Sequence, residues 1–329
     1  MCKRNLVVAV FVLSLFMVPL ALADEAYGAP ESFVAYHDRL SKEDSAIYEI
    51  LANPYGDGTV PTGSTWAPSV SLPSGTTSDA VGSVAKLMVL EDPRFYWLWI
   101  APVLNDDNTL TFAPVEKLNT DNPLKEMEDF VKDVKSELKQ EYTIEDAARA
   151  IDAELRKGAK YADGENKPSA GTAFGAIVLG EADAFGFAAA FNYAIREMYN
   201  DAVKVLTVAG KLHDSEGYSQ HAWNVIKSAG DDWYGVDIAL NRTENTDAYV
   251  MKASNDKGNS EGYTFAASHQ QDLPGYTGLM TVFDVPEPYM KEIKSPEPST
   301  AIEKYGPHAF VITIITVLCI VMIVYSRRG

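Results

Sequence analysis

Apolar residues recur at helical spacing from Glu31 to Leu51, where Leu40, Ile47, Tyr48 and Leu51 predict a first helix. Gly, Pro, Ser and Thr then dominate Asn53 to Ser78, which reads as a long loop. A second helix is expected from Asp79 to Glu91. The run Asp92-Pro93-Arg94-Phe95-Tyr96-Trp97-Leu98-Trp99-Ile100 reads as a strand, paired with Leu110 to Val115 across turn residues Asn105 to Asn108. From Pro123 to Gln140, charged residues alternate along a helix with Met127, Phe130, Val131 and Leu138 on one side. Thr143 to Asp146 forms a capping box, which satisfies orphan amides at a helix start. The helix it opens sets Ile144, Ala148, Ile151 and Leu155 on one stripe and ends near Gly158. Gly171 to Asn200 predicts an almost wholly apolar helix, the kind that sits in the middle of a domain. Strands follow at Val203 to Val208, Gln220 to Ser228 and Trp233 to Ala239, the last two joined through Ala229 to Asp232. Asp247 to Val285 has no clear period and is expected to complete the sheet. Helices come first and an antiparallel sheet after them, so the expected class is α+β.

The ends follow a different pattern. Lys3 and Arg4 precede an uncharged apolar run that closes with Ala21-Leu22-Ala23, the form of a cleaved signal peptide over residues 1–23. An uncleaved anchor is the competing reading. At the other end, residues 308–326 are expected to form a transmembrane helix. Its apolar stretch, Ala309 to Tyr325, is uncharged and would rise about 26 Å as a helix, near the lower limit for a hydrocarbon core. Arg327 and Arg328 in the tail, 327–329, favour a cytoplasmic end. Residues 286–307 hold five prolines and read as an extended stalk. Pro296-Glu297-Pro298-Ser299-Thr300 resembles the sorting signals of exosortase-type enzymes, although Ala301 to His308 separate it from the span. The expected organisation is therefore a signal peptide, an N-terminal helical and strand region (24–122), a main domain (123–285), a stalk, a span and a tail. It places the folded part outside the cell membrane.

Charge sharpens this picture. The chain carries 28 Lys and Arg against 46 Asp and Glu. Two of the basic residues precede the first apolar run and two follow the last, so the segment between them has a net charge of −22. Such a surface repels nucleic acid. Both cysteines, Cys2 and Cys319, lie in the apolar end segments. The region between them has no disulfide, no thiolate metal site and no thiol nucleophile. His37, His213, His269 and His308 show no metal-ligand spacing, and neither a metal nor another cofactor is expected. Asn241-Arg242-Thr243 is a glycosylation sequon, so Asn241 is a modification candidate.

Three segments stand in a telling order: Ala173-Phe174-Gly175 through Asp183-Ala184-Phe185-Gly186-Phe187-Ala188, then His221-Ala222-Trp223-Asn224, then Trp233-Tyr234-Gly235-Val236-Asp237. Together they resemble the transglutaminase-like superfamily, which has the papain-type fold. The resemblance covers about Ser32 to Asn241. It implies that His221 and Asp237 stand at the family's catalytic histidine and aspartate. The family's cysteine nucleophile falls on Ala184. Such a cysteine opens a buried helix, where dipole and free amides favour the thiolate. The histidine moves protons and the aspartate orients it. The chemistry implied is acyl transfer from a glutamine amide, or peptide hydrolysis. Asp183, Trp223, Asn224 and Trp233 are expected to line the cleft. Ser219, two residues from His221, is a conceivable but poor substitute nucleophile.

The expectation is a surface protein that retains the family's fold without its nucleophile and binds a peptide, an envelope component or a surface protein. Two other readings stay open: a residual hydrolase or acyltransferase using His221 and Asp237 with another nucleophile, and a structural envelope component. A His-Asp pair across a hairpin is also consistent with a satisfied buried polar pair.

Overall fold

The computed structural model describes residues 40–53, 70–99, 102–112, 123–162, 167–200, 202–271 and 285–290. Helix α1 (Lys42–Ala52) starts where the Ser41 hydroxyl accepts from the Asp44 amide and buries Ile47, Tyr48 and Leu51. A short strand β1 (Val70–Ser71) precedes α2 (Ser78–Glu91), which Thr77 caps through the Ala80 amide. The next segment corrects the expected strand. Pro93–Leu98 is a 3₁₀ helix. Asp92 accepts from the Arg94 amide, and Pro93 takes the first helical position, where its fixed φ costs nothing. Phe95, Tyr96, Trp97 and Leu98 are all buried, and an apolar run buried on every side carries no period to distinguish helix from strand. The strand partner changes accordingly. Strands β2 (Val103–Leu104) and β3 (Thr109–Thr111) pair with each other, and β3 also pairs with β1. The turn between β2 and β3 does use Asn105 to Asn108, with Asn108 at a φ of 64°.

Helix α3 (Pro123–Glu137) buries Met127, Val131 and Val134. Helix α4 (Ile144–Gly158) opens on the reciprocal bonds between Thr143 and Asp146 and buries Ala148, Ile151 and Leu155. The expected long helix from Gly171 is broken. A 3₁₀ turn (Pro168–Gly171) and a π turn (Gly175–Leu179) come first. Gly180, at a φ of 67°, then reverses the chain. Two short strands, β4 (Lys160–Tyr161) and β5 (Glu181–Ala182), pair in parallel before α5 (Ala184–Tyr199) begins.

Helix α5 packs on the main sheet, whose order is β8-β7-β6-β9 with every pair antiparallel. Strands β6 (Val205–Asp214) and β7 (Gly217–Lys227) form a longer hairpin than the sequence pattern suggested, in the register Gly210 opposite His221. Strand β8 (Trp233–Val236) stops early, because Asp237 caps helix α6 (Ile238–Thr243) instead of continuing the ladder. A four-residue helix α7 (Phe265–Ser268) leads directly into β9 (His269–Gln271). The sheet and its helices make the fold α+β.

One buried cluster takes in side chains from both sides of residue 122, including Leu51, Met88, Trp97, Ile151, Phe174, Phe191 and Ile226. A second, on the other face of the sheet, joins Leu206, Val208, Trp223, Val225, Trp233 and Phe265. Tyr289 belongs to this second cluster. Its hydroxyl donates to the carbonyls of Trp233 and Lys252, at 2.9 and 3.0 Å. The expected stalk is therefore docked on the domain over Glu287–Met290, a 3₁₀ turn. The signal-peptide region, the rest of the stalk and residues 308–326 lie outside the described residues. Among the described residues, no helix is long and apolar enough to cross a membrane.

A charged cluster ties α2 to α5. Asp92 is 2% exposed and takes a two-pronged bond from Arg94. Arg196 donates to the Glu91 carbonyl at 2.8 Å and lies 3.7 Å from Asp92. The Glu91 carboxyl is fully buried, and its oxygens find no hydrogen-bond partner among the described residues. Burial pushes its pKa well above the ordinary value, and Arg196 opposes that only in part. A raised folded pKa means stability that is present below the unfolded value and lost as pH rises. Glu91→Gln is therefore expected to melt above the wild type at neutral pH, with the gap closing towards pH 4.5. Thermal melts across that range check it.

Candidate functional site

Asp237 is where the sheet becomes a helix. Strand pairing sets Asn224 opposite Val236, so the next residue leaves the β8 ladder. There the Asp237 Oδ1 accepts from the Leu240 amide at 2.8 Å, closing the first turn of α6. This satisfies an orphan donor in the manner of any aspartate cap. Helix α6 is held from the far side by Asn241. Its amide nitrogen donates to Asp152 of α4 at 2.9 Å, and its Oδ1 accepts from the Tyr249 amide at 2.9 Å. Asn241, the candidate for glycosylation, is completely buried in the folded chain. A sugar on that amide nitrogen would need space that a fully buried side chain does not have.

The other oxygen of Asp237 faces two imidazoles. His221 Nε2 on β7 lies 2.7 Å from Oδ2, and His269 Nε2 on β9 lies 2.9 Å from the same atom. Asp237 is fully buried, and His221 and His269 are 6% and 2% exposed. Burial alone would push the Asp237 carboxyl up. Its electrostatic interaction and hydrogen bond with the His221 ring, and those with His269, more than offset it, holding the carboxyl well below the usual carboxylate range. Burial lowers the pKa of His269, which favours its neutral ring, while Asp237 opposes that shift.

The rings are fixed by packing. His269 stacks on Phe265 with centroids 3.9 Å apart and planes within 4°. The Trp223 indole meets His269 edge-on at 5.1 Å and lies parallel to His221 at 6.5 Å. Gly235 makes room for this arrangement. A Cβ there would come within 2.2 Å of the Phe265 ring. Side chains two apart on a strand share a face. His221 and Trp223 therefore stand on one side of β7, and Asn224 stands on the other.

Asn224 does not line a cleft with His221. It is buried against α5, where its amide nitrogen donates to the Ala188 carbonyl at 3.0 Å and reaches Leu206 and Thr207 at 3.3 Å. Trp223 and Trp233 are likewise core residues, 1% and 7% exposed. Asp183 is half-buried and caps α5 by accepting from the Gly186 amide at 3.0 Å. Burial raises its pKa, and the His221 ring works against that rise from nearby. Ala184, 3% exposed, is the first residue of α5. Gly186 lets the 3₁₀ turn close over this helix start, since a Cβ would lie 2.0 Å from the Ala170 carbonyl. The site thus has a capped, buried helix start with a methyl side chain, and a carboxylate holding an imidazole. Nδ1 of His221 makes no hydrogen bond with a described residue. An imidazole so placed can exchange a proton, but Ala184 offers it none.

His269 is the residue that the sequence pattern passed over. It lies in the stretch without clear period, 32 residues beyond Asp237, and only the pairing of β9 with β6 brings it to the site.

Residues 128–238 match the family described as the transglutaminase-like superfamily, and they form a domain of that kind. This stretch contains Ala184, His221 and Asp237, and it ends before His269. The chain matches no curated protein sequence. Among solved structures it is similar to one described as "Crystal structure of a TGase", at 16% identity over 42% of this chain and 43% of that one, with a TM-score of 0.30. The aligned part spans less than half of that protein.

Gly235→Ala is expected to lower stability by about 1–3 kcal/mol, the usual cost of forcing a methyl into a filled core. Urea unfolding, compared with a surface alanine substitution, measures the loss.

Proposed function

We propose that this protein is a transglutaminase-like surface protein without catalytic activity, which uses its domain to bind a peptide or an envelope component. One observation carries the reading. The helix start where the family keeps its nucleophile is intact, capped by Asp183 and closed over at Gly186, yet the side chain there is the methyl of Ala184. The chain supports no replacement thiol, since its cysteines are Cys2 and Cys319. Exposed Ser219 shares a face of β7 with His221 but has no hydrogen bond to it. The terminal apolar segments support attachment at the cell surface, with the acidic domain outside.

A residual hydrolase is the second reading, favoured by the preserved 2.7 Å contact between His221 and Asp237. The two are separated by assaying ammonia release and amine incorporation with glutamine-containing peptides, together with peptide cleavage. The wild-type protein is expected to match His221→Ala and the buffer blank in all three. Turnover by the wild type that disappears in His221→Ala overturns the proposal. Ala184→Cys is expected to give a thiol that iodoacetamide alkylates faster at neutral pH than in the double variant with His221→Ala. Equal rates would mean that the imbalance at this site is more than one missing sulfur.

A further inference from the structure

We propose that His221, Asp237 and His269 form a binding site for a divalent cation of the zinc class. The proposal is independent of whether the domain turns over a substrate. Three donor atoms, His221 Nε2, His269 Nε2 and a carboxylate oxygen of Asp237, lie within 4.8 Å of one another, and all three residues are buried. They come from three separate elements: β7, the end of β8 and β9. Two imidazoles and one carboxylate suit zinc, cobalt or nickel better than calcium or magnesium, which prefer all-oxygen shells.

The convergence is unusual because both rings point the same nitrogen at one oxygen. Without a cation, Asp237 Oδ2 must accept from two N–H groups at 2.7 and 2.9 Å. Ligands around zinc, with bonds of about 2.0–2.2 Å, stand roughly 3.3 Å apart. The two N–O contacts therefore have to open by about half an ångström, while the two imidazole nitrogens, within 4.8 Å of each other, have to draw in around the ion.

The surroundings of His269 provide for both states. Its Nδ1 lies 2.8 Å from the Ser268 hydroxyl and 3.1 Å from the Phe265 carbonyl. With the hydroxyl donating to Nδ1, the proton sits on Nε2 and is given to Asp237. With Nδ1–H donating to the carbonyl, which can only accept, Nε2 turns a bare lone pair on the carboxylate. That second form places two electron-rich atoms 2.9 Å apart, and a cation between them relieves the repulsion. A ligating histidine ordinarily holds its other nitrogen to a backbone carbonyl in this way. The stacked Phe265 ring fixes the plane in either form. Three protein donors would leave a fourth position of a tetrahedral shell to be filled from elsewhere. A water or a donor atom of a bound peptide would complete the shell there.

The test uses the full-length chain with Cys2→Ser and Cys319→Ser, so that thiolates cannot contribute. Metal-free protein is titrated with Co²⁺ and followed by visible absorption. One equivalent is expected to bind with the intense bands of a four- or five-coordinate site, and Zn²⁺ is expected to displace it. His269→Gln and His221→Gln should each weaken binding at least a hundredfold with unchanged circular dichroism. Ser268→Ala should weaken it about tenfold, as removal of an outer hydrogen bond commonly does. His213→Gln should leave it unchanged. The absence of a saturable one-equivalent signal overturns the proposal. So does a signal that survives in both glutamine variants. If His269→Gln does not fold, His221→Gln, the more exposed ligand, decides alone.

Discussion

Everything in the site depends on burying one carboxylate. Asp237 has no contact with water, and an unpaired charge so placed would cost several kcal/mol. The fold divides that charge among three donors: the Leu240 amide on Oδ1, and the rings of His221 and His269 on Oδ2. The amide comes from a helix start, and the rings come from two strands that do not touch each other. One side chain therefore links the end of β8, the long hairpin and the short edge strand β9. Helix α6 and the sheet are fastened at the two oxygens of one carboxylate.

The order of the sheet makes this possible. Strands β7 and β9 flank β6, so His221 and His269 face each other across it, with Gly210 opposite both His221 and Gln271. Behind the rings lie Trp223 and Phe265, whose flat faces leave the imidazoles little freedom to turn. On the opposite side of the sheet, Asn224 and Asn192 reach Thr207 from β7 and α5, at 3.3 and 3.1 Å. The polar contacts that position the helix and those that hold the imidazoles thus occupy different faces of the same hairpin. A change in the charge of the site need not disturb the seating of α5.

Much of this architecture is legible in the amino-acid sequence. Alternating and helical patterns identify α1, α2, α3 and α4, because each has one dry face and one wet one. The capping box at Thr143 is a local device and reads locally. The same reasoning fails where a segment is dry on all sides. Phe95 to Leu98 reads as a strand and is a 3₁₀ helix, since burial on every face removes the period on which the distinction rests. The segment before Ala184 reads as one helix with α5, because nothing in Gly180 by itself shows that it takes a positive φ. His221, Asp237 and Ala184 could be picked out since they lie on elements the motif spans. His269 could not, because its place follows from a long-range strand pairing, with Leu212 opposite His269. Asn241 shows the opposite error. A sequon is a three-residue pattern, and only the tertiary structure reveals that its amide is spent on Asp152.

The presence of a His-Asp pair in such a domain does not by itself argue for chemistry. Once Asp237 serves as the cap of α6, its charge is fixed inside the protein by the fold. Removing one partner of a buried pair leaves the other uncompensated, at a cost of about 3–5 kcal/mol, a large share of a typical domain's stability. His221 and His269 thus contribute to stability whether or not a nucleophile stands at residue 184. The nucleophile is different. No hydrogen bond of this network reaches the side chain that opens α5, where the methyl of Ala184 is 3% exposed. The identity of the side chain at residue 184 is therefore uncoupled from the His-Asp-His frame, which is held in place by the electrostatics of one aspartate.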